Sequence, residues 1–111
     1  MPELTNEILS LRQWVHIGHH IPGRIRLKFN SAIVAKLARY KTTQTMEHAI
    51  QFAPLKRYQL NSETNSLLLE YDAAVIEPQL LDRLFHDDDQ QARAACTSLI
   101  NTLTPIYQAG A

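Results

Sequence analysis

The chain holds a single cysteine, Cys96, in 111 residues. It can form no internal disulfide, and without a Cys-x-x-Cys pair it has no thiolate site for a soft metal. Neither sign of charge dominates: 11 basic and 11 acidic residues give a formal net charge of zero. That argues against the basic field on which non-specific nucleic-acid binding depends. No apolar run approaches the length of a membrane span. The opening Met-Pro-Glu-Leu-Thr has neither the basic start nor the apolar stretch of a secretory leader, so the cytoplasm is the expected location. There is no Gly-x-Ser-x-Gly, no phosphate loop and no His-Glu-x-x-His, and the chain is not expected to be an enzyme. What remains is an ordinary globular composition, 45% apolar and 20% charged. Its length suits one domain, residues 1–111, with one core.

Hydropathy patterning gives the elements. Leu4, Ile8 and Leu11, spaced by four and three, mark a short docked helix over about 3–13. Residues 14–29 read as a long strand interrupted at Pro22-Gly23, where the dipeptide forms a turn or a bulge. Asn30-Ser31 caps a helical stretch over 32–53 with Ile33, Leu37 and Tyr40 as its apolar side; Met46, Ala49 and Ile50 resume the pattern, and Pro54 stops it. It is either one kinked helix or two short ones. Residues 55–61 and 66–72 alternate as the arms of a hairpin around a polar turn. Glu77-Pro78 opens a helix with Leu80, Leu81, Leu84 and Phe85 buried. A last helix, about 90–103, carries Ala92, Cys96, Leu99, Ile100 and Leu103 on one face and is expected to stop at Pro105. The order predicts an α+β fold: a ferredoxin-like β-α-β-β-α core over about 14–88, with a short N-terminal helix and an extra C-terminal helix. Its fourth strand position is open to the early half of 14–29, to the C-terminal tail or to a partner chain.

The chemistry concentrates between Trp14 and Phe29. Three of the five histidines, His16, His19 and His20, precede Pro22-Gly23. Imidazole nitrogens ligate zinc, nickel, copper and iron, or the axial position of haem. In a regular extended strand His16 and His20 share one face and His19 the other; on a tight turn all three converge. The bland alternative is three polar side chains at a strand end, solvated or bonded to backbone. Next come Arg24, Arg26 and Lys28, which alternation places on one face. They are candidates to contact an anion, such as a haem propionate, although a solvated sheet face explains them as well. His86 with Asp87, Asp88 and Asp89 reads best as the acidic approach to the last helix. His48 and Cys96 read as structural.

The segment His20-Ile21-Pro22-Gly23-Arg24-Ile25-Arg26-Leu27, with His19 or His20 as its leading histidine, resembles the H-x-x-P-G-R-[IV]-R-[LI] pattern of the cysteine-less branch of heavy-metal-associated domains. Leu67-Leu68-Leu69-Glu70-Tyr71-Asp72 resembles the ending of that family's hairpin, and the likeness spans about residues 15–86. It implies transition-metal handling, as a free module or beside a membrane metal transporter. The thiolate pair of the better-known branch is missing, so copper(I) chemistry is not implied. Ala53-Pro54-Leu55 stands where relatives have Gly-Val. The expectation is a small module that binds zinc, nickel or iron, or haem, through His16, His19 and His20. Its rival is a cofactor-free interaction module that forms a homodimer or docks to a transporter. Acylphosphatase and RNA-binding readings of the same architecture are weak. The first lacks its glycine-containing arginine loop, and Phe29, Tyr58 and Tyr71 read as core.

Overall fold

Gly23 decides how the N-terminal third folds. In the computed structural model, which describes residues 2–86 and 88–110 and the side chains of 4–86 and 88–103, its φ is +91°. That is the value required at the third residue of a type II turn, and Pro22 stands where that turn accepts proline. The chain therefore reverses here, and the expected long strand over 14–29 is two strands. β1 (Val15–Ile21) and β2 (Arg24–Phe29) pair antiparallel, closed by Ile21 opposite Arg24.

The other elements are α1 (Pro2–Leu11), α2 (Ala32–Ala49), β3 (Leu55–Asn61), β4 (Ser66–Tyr71), α3 (Pro78–Leu84) and α4 (Asp89–Gly110). The sheet is four-stranded and antiparallel, in the order β1-β2-β4-β3. This is an α+β, ferredoxin-like arrangement. β2-α2-β3-β4-α3 supplies its core, and β1, which comes first in the chain, occupies the edge where the fold's last strand would lie.

Strict alternation in β2 buries Ile25, Leu27 and Phe29 and exposes Arg24, Arg26 and Lys28. β4 adds Leu67, Leu69 and Tyr71 to the same buried face. The helices cover that face with Leu4, Ile8 and Leu11 of α1, Leu81 and Leu84 of α3, and Cys96, Leu99 and Leu103 of α4. The opposite face of the sheet is left open. Asp88 caps α4, its Oδ1 accepting from the N–H groups of Gln90 and Gln91 at 2.8 and 3.3 Å. The acidic run thus favours a helix start, and Asp87 lies outside the described residues. α4 continues past Pro105 to Gly110. Proline deletes one helical hydrogen bond, but its fixed φ is itself helical. Burial pushes the Cys96 thiol up from its ordinary value, which keeps it protonated and inert.

α2 is one continuous helix; it buries Met46 and Ala49 as the sequence reading expects, but its first half turns the other way. Ser31 caps it by accepting from the Val34 N–H at 3.1 Å. Its buried residues are Ala38, Thr42, Thr45, Met46 and Ala49, while Ile33, Leu37 and Tyr40 face solvent. α1 lies against α2, and small side chains let two helices approach closely. The hydroxyl of Thr42 is buried without a hydrogen-bond partner. Thr42→Val keeps the shape and removes the orphan group. It is expected to raise stability by about 1 kcal/mol, read as a higher urea midpoint at unchanged slope.

Candidate functional site

Gly18 separates the three histidines. It is the extra residue of a β-bulge: Ile17 pairs with Leu27, and His19 pairs with Arg26. A Cβ at position 18 would stand 2.9 Å from Lys28 Cγ, so the bulge suits glycine. Beyond it the alternation restarts by one residue. His16, opposite Lys28, and His19, opposite Arg26, both fall on the open face, whereas His20, opposite Ile25, turns to the covered face. A regular strand would have grouped His16 with His20. Convergence of all three is therefore not what the fold produces. Among the described residues no three His, Cys, Asp or Glu side chains form a group able to hold a metal ion.

The two sets of histidines differ in what holds them. Asn30 donates through Nδ2 to the Gln13 carbonyl at 3.2 Å, and its Oδ1 lies 2.9 Å from His16 Nδ1. An amide oxygen accepts only, so His16 donates from Nδ1, and Nε2 is left without a partner among the described residues. A ligand imidazole is prepared in the same way, with the outer nitrogen tied and the inner one bare. His19 is exposed, and among the described residues no hydrogen bond engages its side chain.

His20 is held at both nitrogens. Its side chain is only 7% exposed. Asp82 Oδ1 on α3 lies 2.6 Å from Nδ1, and the Tyr71 hydroxyl lies 2.7 Å from Nε2. The carboxylate can only accept, so Nδ1 donates to it, and Nε2 shares the second hydrogen bond with the tyrosine hydroxyl. Burial raises the Tyr71 pKa above 10.0, a hydrogen bond to the Gly23 backbone opposes that shift, and the Asp82 charge adds to it. The phenol therefore keeps its proton at neutral pH. The trio straps β1, β4 and α3 together. For His20 to bind a metal, at least one of these bonds must break.

On the open face the strands set the side chains in cross-strand rows. Ile21, Arg24, Glu70 and Arg57 form one, and His19, Arg26, Leu68 and Gln59 the next. His16, Lys28, Ser66 and Asn61 form the third. Glu70 sits between Arg24 at 4.0 Å and Arg57 at 3.5 Å. Both are solvent-screened contacts of little energetic weight. Among the described residues Arg26 and Lys28 make no ion pair. The anion-contact candidates thus share a face with His16 and His19, and His20 does not. His48 binds Glu7 of α1 at 2.8 Å and ties two helices.

Asn30, Asp82 and the Tyr71 hydroxyl were not legible as partners. Asp82 is 62 positions from His20 and Tyr71 is 51. The only local signal was the Tyr71-Asp72 ending of the hairpin. No protein-family model, curated protein or solved structure matches this chain.

Proposed function

We propose that this is a non-catalytic binding module of transition-metal handling that takes its ion on the open sheet face through His16 and His19. The supporting observation is the Gly18 bulge. It sets two exposed imidazoles on one face, one of them with Nδ1 already bonded to Asn30. Two imidazoles leave coordination positions for water or for a partner's ligands, which suits a carrier better than a permanent structural site. Nitrogen ligands favour zinc, nickel or iron over copper(I). Haem is the weaker ligand of the two. Arg24, Arg26 and Lys28 could meet its propionates, but the face offers a porphyrin only Ile21 and half-buried Leu68.

Titration with zinc, nickel, iron(II) and hemin tests this reading. His16→Ala/His19→Ala is expected to abolish stoichiometric uptake with the fold intact. Asn30→Ala, which frees the ring of His16, is expected to weaken uptake about tenfold. Unchanged binding in the double variant would refute the proposal.

One observation favours a second reading, a cofactor-free docking or homodimerisation module serving a transporter. β1 is an edge strand with its outer backbone groups available for pairing. On that reading the metal-free protein is already a defined oligomer in sedimentation, and Ile17→Pro on β1 dissolves it.

A further inference from the structure

α2 carries its large apolar side chains on the wrong side for a free-standing domain. Ile33, Leu37 and Tyr40 are 72, 78 and 72% exposed. Their spacing of four and three aligns them in one stripe directly away from buried Ala38, Thr42 and Thr45. Scattered exposed apolar residues are unremarkable, but an aligned stripe marks a contact surface.

The surroundings of the stripe specify what covers it. Lys36 and Lys41 lie roughly 70° to either side of it around the helix. Both are exposed, and among the described residues neither makes an ion pair. The imbalance extends further. Residues 8–46 contain seven of the 11 Lys and Arg residues and none of the 11 Asp and Glu. Of the seven, Lys36, Arg39 and Lys41 stand exposed on α2, while Arg24, Arg26 and Lys28 lie on the open sheet face and Arg12 is paired with Asp89. Next to Leu37 a cleft of about 230 Å³ opens between Trp14, Val34, Ala38 and Lys41. It has room for an aliphatic side chain.

Three occupants can be compared. A second copy of this face would set lysines against lysines. A bilayer surface has no projecting side chain for the cleft. A helix with an apolar ridge and acidic flanks satisfies the stripe, the cleft and the charges together. We infer that the outer face of α2 docks an acidic amphipathic helix of a partner protein. One apolar side chain of that helix enters the Trp14 cleft, and its carboxylates meet Lys36 and Lys41. This inference does not depend on metal binding.

The probe is a synthetic helical peptide with a leucine ridge flanked by glutamates, alongside the same peptide with lysine flanks. Trp14 is the only tryptophan, so its emission reports the cleft directly, and calorimetry gives the affinity. The glutamate peptide is expected to bind and shift the Trp14 emission to the blue. Leu37→Asp should weaken it about tenfold or more. Lys36→Glu/Lys41→Glu should lose it and acquire the lysine peptide. All these positions are exposed, and an unchanged urea midpoint confirms that the variants fold. The inference is overturned if the glutamate peptide fails to bind at millimolar concentration, or if both peptides bind equally. It is also overturned if anionic phosphatidylglycerol vesicles bind and the peptide does not, or if the free protein forms a dimer that Leu37→Asp dissociates.

Discussion

Replacing His20 with alanine is expected to cost about 2–4 kcal/mol of folding stability and to leave metal uptake on the open face unaltered. The loss has two sources. The imidazole is nearly buried, so its removal opens a cavity between β1, β4 and α3. The Tyr71 hydroxyl, on a residue 2% exposed, also loses its partner. The Asp82 end contributes less, because that carboxylate is 53% exposed and water replaces the imidazole. Tyr71→Phe, which removes the hydroxyl and keeps the ring, should cost only about 1 kcal/mol. In the His20→Ala background it should cost less still, since the bond is already gone. Urea unfolding of the two single variants and the double variant measures this coupling. If His20→Ala folded as stably as the parent yet failed to take up metal, His20 would be the ligand and the role given to His16 and His19 would be wrong.

Arg12→Ala is expected to cost about 2–3 kcal/mol, although nothing in the local pattern singles that residue out. Arg12 follows α1 and reaches across to the joint between α3 and α4. Its Nε donates to the Leu84 carbonyl at 3.2 Å, Nη2 donates to the His86 carbonyl, and Nη1 meets Asp89 at 2.7 Å. The two carbonyls lie at the C-terminal end of α3, where a helix leaves acceptors without intrahelical partners. The side chain is 13% exposed and its bond to the Leu84 carbonyl is half-buried, whereas the bonds to His86 and Asp89 lie at the surface. Arg12→Lys is the informative control. A lysine keeps the charge but cannot serve three acceptors in a fork, so it should recover less than half of the loss. Full recovery would mean that only the ion pair with Asp89 mattered. Together the two variants test whether α3, only seven residues long, is held by its flanking straps more than by its own helical bonds.

Binding and stability are expected to divide along the two sides of the sheet. The open side carries exposed groups that stabilise little: His16, His19, Arg24, Arg26 and Lys28. Substitutions there should change binding and hardly move the unfolding midpoint. The covered side carries His20, Tyr71 and Arg12, whose loss should do the reverse. That split makes each set of variants the control for the other.

Much of the architecture was written locally. Alternation in Arg24–Phe29 gave both the buried and the cationic face of β2, and the stripes of α1 and α4 matched their burial. The hairpin of β3 and β4 was legible from its polar turn, and the start of α3 from Pro78. All these follow from side-chain periodicity and turn chemistry, which act within a few residues. Tertiary structure decided the rest. Gly23 could end a strand or bend it, and the pairing of β1 against β2 settled that. One extra residue at Gly18 reversed the faces of His19 and His20, because a strand's period of two turns any single insertion into an inversion. The apolar stripe of α2 could point inward or outward. Close packing against α1 selected the small face and left Ile33, Leu37 and Tyr40 outside. The partners of His20 and the reach of Arg12 cross more than fifty positions of chain. Such contacts exist only once the sheet and helices have assembled, so no local pattern encodes them.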